Sequence, residues 1–211
     1  MSFSVRQLEH PVSDTVLEAI LDTQASAFAE DPFAYACIDG DKSLLKSFVR
    51  SVVIAGFLGG EVYVAENPDK QIIGASVWFP PSREMFDSED QRKQGLDPLF
   101  AQFSPDHLKW WLEYFLPNYA KLTTDTLGDE FKLANWHLQW IGVIPEERKK
   151  GVARELIEPV RIKKGDKAMC LETESEENLV IYDKLGFSSK GQTDFKNPRK
   201  DFTMWVLVEK E

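Results

Sequence analysis

The segment Ile141-Gly142-Val143-Ile144-Pro145-Glu146-Glu147-Arg148-Lys149-Lys150-Gly151-Val152-Ala153-Arg154 joins a strand to a helix through a cationic turn. The strand ends at Val143, because Pro145 has no N–H for a ladder. The helix starts near Gly151. Its first N–H groups have no partner inside the helix. With the macrodipole they make an anion site. Gly151 permits positive φ and a close ligand approach. Val152 and Ala153 add main-chain amides, and Ala153 keeps the first turn uncrowded. Arg148, Lys149, Lys150 and Arg154 supply positive charge. A pyrophosphate fits this corner. A nucleotide P-loop does not, since the Gly-x4-Gly-Lys-Ser/Thr spacing is absent. A dinucleotide fingerprint needs more than one glycine.

Working outward, residues 3–8 read as a strand. Ser13 or Asp14 caps a helix bearing Val16, Leu17, Ile20, Leu21 and Phe28 at helical spacing. Asp41 caps a second helix, through Leu44, Leu45, Phe48, Val52 and Ile54, that stops at Gly59-Gly60. Residues 61–66 and 71–79 read as a hairpin around Asn67-Pro68-Asp69. Residues 82–130 read as a polar loop and then a helix capped by Ser104 and interrupted at Pro117. Residues 131–143 favour strand. Met169–Thr173 reads as a strand, 176–185 as a helix closed by Gly186, and 187–195 and 202–208 as strands. This order predicts a mixed α/β sheet with helices on both faces.

With 211 residues, the chain is expected to form one domain, 1–211, at about 150 residues per domain. The 35 acidic residues outnumber the 25 basic ones, for a net charge of −10. Such a balance argues against a phosphate backbone as the main partner. Residues 148–167 nevertheless hold eight basic and three acidic residues. This points to an anionic ligand, or to a solvated helix face with its counter-charges elsewhere. Two distant cysteines, Cys37 and Cys170, rule out a disulfide scaffold. No apolar run is long enough for a membrane, and no signal segment opens the chain. A cytoplasmic setting is expected, with no membrane or nucleic-acid partner and no metal.

Arg148-x-x-Gly151-x-Ala153, following a strand that ends Val143-Ile144-Pro145, resembles the Q/R-x-x-G-x-G/A motif of the Gcn5-related N-acetyltransferase (GNAT) family. Leu171-Glu172-Thr173, Asn178-Leu179, Tyr182 and Leu185-Gly186-Phe187 resemble that family's second motif. Within the family, both segments are most similar to the puromycin N-acetyltransferase type, which also has a proline eight residues past the loop glycine, here Pro159. The resemblance is firm over 131–190. It implies the GNAT fold: a mixed, mostly antiparallel sheet of about seven strands, splayed between the fourth and fifth. It implies acetyl-CoA as donor and an amine as acceptor. It makes 82–130 a helical insertion walling the acceptor side together with the first two helices. Their aromatics include Phe33, Tyr35, Trp110, Trp111, Tyr114 and Phe115, with Trp78 and Phe79 nearby; only one or two are expected in the site itself.

The resemblance also distributes roles. A main-chain N–H of Ile141 or Val143 would polarise the thioester carbonyl. Strand alternation puts His137, Gln139, Ile141 and Val143 on one face. His137 falls where histone-type members carry a carboxylate, and an imidazole suits a general base. Glu172, sharing a face with Glu174, competes for that task. Tyr182 matches the acid that protonates the leaving thiolate. Asn178 is expected to contact CoA or cap nearby backbone. The Asn that many members carry seven residues before the Tyr is Ser175 here. The acceptor is expected to be a small-molecule amine, with a protein or peptide acceptor and a non-catalytic acyl-CoA-binding module as alternatives. Monomer and homodimer both remain open.

Overall fold

The computed structural model describes residues 3–210. Seven strands form one sheet: β1 (Ser4–Leu8), β2 (Glu61–Glu66), β3 (Ile72–Phe79), β4 (Trp136–Val143), β5 (Met169–Thr173), β6 (Phe187–Phe195) and β7 (Phe202–Glu209). Their spatial order is β1-β2-β3-β4-β5-β7-β6. Every neighbouring pair is antiparallel except β4 and β5. This parallel pair is short: it runs from Trp136↔Met169 to Leu138↔Leu171. β3, in contrast, follows β4 as far as Val143. Beyond Leu138 one edge of β4 is therefore without a partner strand, and the sheet opens as expected.

Helices α1 (Asp14–Ala27), α2 (Pro32–Cys37) and α3 (Leu45–Gly59) cover one face with the 82–130 segment. That segment contains α4 (Glu89–Gln91), α5 (Asp97–Phe100), α6 (Pro105–Lys109) and α7 (Leu116–Leu127). The short α8 (Phe131–Ala134) precedes β4. On the other face lie α9 (Val152–Lys163) and α10 (Glu176–Lys184), over a separate core that includes Trp78, Trp136, Leu138, Leu156 and Leu171. Gln24 locks α1 to β4. Its fully buried amide donates to the Gly142 carbonyl at 3.1 Å and accepts from Trp140 Nε1 at 3.0 Å.

Four expectations are corrected. Residues 89–100 are helical, not a polar loop. A wide π turn, Arg92–Leu96, separates α4 from α5 and breaks the 3.6-residue period that would reveal a helix. Gly95 packs there so closely that a Cβ would stand 2.9 Å from the Ser51 carbonyl oxygen. Pro117 does not interrupt its helix. It sits in the first turn of α7, after a second π turn, Trp110–Phe115, which loosens the ladder where the missing N–H falls. Residues 131–134 form α8, not strand. The Asn135 side chain then turns the chain into β4, accepting from Ala168 N and donating to the Phe131 carbonyl. Finally, Asp41 caps only a 3-10 turn, Lys42–Leu44, ahead of α3, while Asp31-Pro32 opens the unexpected α2.

Candidate active site

The strand-to-helix corner is built as the sequence predicts, with its charges deployed differently. Gly151 is the N-cap of α9 at φ +88°, the left-handed conformation that a side chain disfavours. No side chain caps the helix, and a Cβ on Gly151 would meet nothing within 4 Å. The start of α9 thus faces open space. The Val152 side chain is buried in the α9 core, so only its main chain faces the corner. The Arg148 guanidinium turns inward, donating to the Val143 carbonyl at 3.2 Å and the Ala27 carbonyl at 2.7 Å. It ties the turn to α1 and β4. Lys150 pairs with Glu147 at 3.1 Å. Along the helix, Arg161 and Lys164 pair with Glu209, and Lys163 with Glu61. Much of the local positive charge is therefore a neutralised helix face. Lys149 and Arg154 remain exposed at the corner.

A cavity of about 210 Å³ lies where β4 and β5 part. Its wall includes His137, Gln139, Ile141, Glu172, Glu174, Asn178 and Tyr182. Simple alternation along β4 fails here. A bulge beside Gln139 shifts the register between Val77↔Trp140 and Trp78↔Leu138. His137 therefore shares a face with Trp140, which packs in the α1/α3 core, whereas Ile141 and Val143 turn toward α9. The bulge falls on the stretch of β4 that faces the open edge.

The two rival bases are partners. His137 Nε2 lies 2.6 Å from Glu172 Oε2, and their side chains are 3% and 7% exposed. Lys132 Nζ stands 3.6 Å from the other carboxylate oxygen, Oε1. Lys132 also donates to the Tyr119 hydroxyl and lies over its ring. Burial opposes the charge on Glu172, yet His137 and Lys132 overcome it and hold the carboxyl down to about 2. Burial dominates at His137, and with the Lys132 charge it holds the imidazole below its ordinary value despite Glu172. At neutral pH the imidazole is neutral. The tautomer assigned from its partner donates Nε2–H to Glu172 and leaves the Nδ1 lone pair available. Oε1 of Glu172 is buried without a hydrogen bond.

Tyr182 packs edge-on against Phe187, and burial raises its pKa, so the hydroxyl keeps its proton. Asn178 donates to Thr173 Oγ1 at 3.0 Å, holding the end of β5 to α10. Glu174 and Asp31 also reach the cavity wall. Burial, then the neighbouring Asp31 and Glu172 carboxylates, raise the Glu174 pKa well above normal. Burial raises that of Asp31 against the helix N–H bonds it accepts. Four carboxylates and one lysine line the cavity. Of the aromatics expected on the acceptor side, Phe33, Trp111 and Phe115 line it, whereas Trp78 belongs to the α9 core.

Lys132, Tyr119 and Asp31 were not found from sequence. Asp31-Pro32 carries a readable signal, an N-cap followed by proline at the first helical position. Lys132 and Tyr119 carry none, since the short α8 places the first and the turn of α7 after a π turn places the second. Among the described residues no group of three or more His, Cys, Asp or Glu is arranged to hold a metal ion. No helix among them is long and apolar enough to cross a membrane.

The seven-stranded sheet, its one short parallel pair and the helices on both faces make up the GNAT fold. Comparison with solved structures agrees over nearly the whole chain. A histone acetyltransferase HPA2 and related acetyltransferase of Corynebacterium glutamicum aligns with a TM-score of 0.64 at 18% identity, covering 100% of this chain and 97% of that one. A mosquito arylalkylamine N-acetyltransferase aligns with a TM-score of 0.64 at 18% identity, covering 99% of both chains. A Drosophila melanogaster polyamine N-acetyltransferase gives 0.61 at 15% identity over 100% of both. Among curated proteins, an uncharacterised N-acetyltransferase of Schizosaccharomyces pombe is 29% identical over 175 residues, 78% of this chain and 68% of that protein. No protein-family model matches the chain. The relative's name and the fold neighbours together support an N-acetyltransferase of the GNAT type.

Proposed function

We propose that the chain transfers an acetyl group from acetyl-CoA to the primary amine of a small molecule, in a ternary complex. The observation that carries this reading is the coincidence, at the end of the β4–β5 pairing, of a cavity, a His137–Glu172 pair and Tyr182. The corner at Gly151–Arg154 would hold the pyrophosphate through main-chain amides, with Lys149 and Arg154 adding charge. Arg148 supports that corner rather than reaching into it. The open edge of β4 offers main-chain groups to the pantetheine amides. A main-chain N–H near the bulge, at Ile141 or Val143, would polarise the thioester carbonyl.

The amine nitrogen attacks the carbonyl carbon, forming the N–C bond. His137 accepts the amine proton on Nδ1, directly or through water, while Glu172 positions the ring. Collapse of the tetrahedral intermediate breaks the C–S bond, and Tyr182 gives its proton to the sulfur. The Leu171-Glu172-Thr173 and Leu185-Gly186-Phe187 segments support the puromycin-type branch for this chemistry. Enclosure of the cavity by the 82–130 segment favours a small molecule over a protein acceptor. The chain is read as one domain in a cytoplasmic setting.

Thiol release from acetyl-CoA, read across a panel of amines, tests the proposal. Amine-dependent release that falls with Tyr182→Phe supports it. Release with no amine of the panel, alongside tight acetyl-CoA binding, would instead favour a non-catalytic acyl-CoA-binding module.

A further inference from the structure

Three titratable side chains from three elements meet at the buried end of the β4–β5 pair, and their charges must balance there. The side chains of His137, Glu172 and Lys132 are 3%, 7% and 18% exposed. His137 Nε2 holds one Glu172 oxygen at 2.6 Å, and Lys132 Nζ stands 3.6 Å from the other. With Lys132 as ammonium and Glu172 as carboxylate, the trio is neutral only when the imidazole is neutral. Without Lys132, the remaining pair is neutral only when His137 takes a proton. Uncompensated buried charge is costly. Residue 132 therefore decides which form of the ring is stable.

The fold holds Lys132 in place by contacts of its own. Its Nζ donates to the Tyr119 hydroxyl and lies 4.5 Å from the centroid of that ring. Burial and the Glu172 charge keep the Tyr119 hydroxyl protonated. α8 is latched on both sides: the Leu133 carbonyl accepts from Ser82 N at 2.7 Å, and Asn135 bridges Phe131 and Ala168. The other groups facing His137 do not replace Lys132. Glu84, after β3, favours the imidazolium. Cys170, paired with His137 in the β4–β5 register, stays a thiol, its pKa pushed up to about 12 by burial. Glu174 and Asp31 are carboxyls whose ionisation burial opposes. Lys132 is the single lysine or arginine of the cavity wall. We propose that Lys132 is a positioning residue for the base: its ammonium, clamped by Tyr119, balances Glu172, so that the pair presents His137 to the acceptor as a neutral imidazole with Nδ1 free. This deepens the acetyl-transfer reading and rests on it for the role in turnover, not for the charge balance itself.

The chain has three histidines, His10, His107 and His137, so their rings can be followed separately in an NMR pH titration of the full chain. In the wild type the His137 midpoint is expected below the ordinary imidazole value of about 6.5. A midpoint above it would overturn the proposal, and this measurement needs no variant to fold. Lys132→Met keeps the stem and removes the charge. It is expected to raise the His137 midpoint by about one pH unit or more. With an acceptor amine in hand, the acidic limb of kcat/KM should move upward by the same amount. Lys132→Arg should return both most of the way to wild type. An unmoved ring midpoint in folded Lys132→Met would overturn the proposal. So would a loss of turnover in Lys132→Met with no shift of the limb, the mark of a merely structural role. A Lys132-dependent ring midpoint without amine-dependent thiol release would sink the acetyl-transfer reading and leave the charge balance standing. Thiol release with the same acidic limb in wild type and Lys132→Met would do the reverse.

Discussion

Glu172 is the most consequential single side chain in the site. It aligns His137 through one oxygen and faces Lys132 and the cavity with the other. Glu172→Gln keeps the shape and removes the charge. The expected result is a loss of kcat of about 10²–10⁴-fold, the range for general-base contributions, with acetyl-CoA affinity unchanged in calorimetry. Glu172 also predicts a pH effect on stability. Its carboxyl is held down to about 2 from 4.5, so its contribution is complete above pH 4.5 and fades as the pH falls toward 2. The Tm advantage of wild type over Glu172→Gln should shrink across that window; a constant difference would argue against the buried pair. Glu174 predicts the opposite sign. Its raised pKa means that ionisation disfavours the folded state once the pH exceeds the ordinary carboxylate range. Glu174→Gln should therefore raise Tm at neutral pH, by about 2–4 °C if it relieves about 1 kcal/mol. Motif and spacing single out His137, Glu172 and Tyr182 in the sequence, and all three line the cavity. That two of them are bonded to each other was not legible, since the contact crosses from β4 to β5.

At the level of elements, legibility followed regularity. The hairpin of β2 and β3, the turn from the end of β4 at Val143 into α9, and the β5–α10–β6 run all lie close to their predicted bounds, because each has a proline or glycine stop. Where the backbone departs from a regular period, the reading failed. The π turns hid 89–100 and made Pro117 look like a helix end. The bulge beside Gln139 put Ile141 and Val143 on the face opposite His137, where simple alternation had them together. The corner at Gly151 joins two elements and has its own test. Gly151→Val forces a β-branched residue to φ +88°, a strain of about 1–2 kcal/mol, while its Cβ meets no atom within 4 Å. The chain should still fold, with a modestly lower Tm, and bind acetyl-CoA at least tenfold more weakly. Unchanged donor affinity would remove this corner from the site. Gln24→Ala tests the joint between α1 and β4. It strands the Trp140 indole N–H and the Gly142 carbonyl, both bonded to Gln24. At about 1–3 kcal/mol for each orphaned group, chemical unfolding should report a loss of a few kcal/mol.

At the scale of the whole molecule, charge separates into regions. The chain carries a net −10, and its cavity concentrates carboxylates, while the exposed Lys149 and Arg154 mark the corner at the start of α9. On the proposed function, a cationic acceptor and an anionic donor would be drawn to different sides of one splay in the sheet. The composition argues against a phosphate backbone as the main partner, but it does not place these regions; the topology does that. The basic run of 148–167 shows the limit well, because Glu61, Glu147 and Glu209, distant in sequence or on the turn itself, neutralise much of it. The claim on which the account turns is that this splay and its corner bind acetyl-CoA. Titrating acetyl-CoA into the full chain in a calorimeter tests it most directly. The account predicts saturable binding at one site per chain, weakened by Gly151→Val and left intact by Glu174→Gln. No measurable heat of binding, together with no protection of the corner amides in hydrogen exchange, would contradict it.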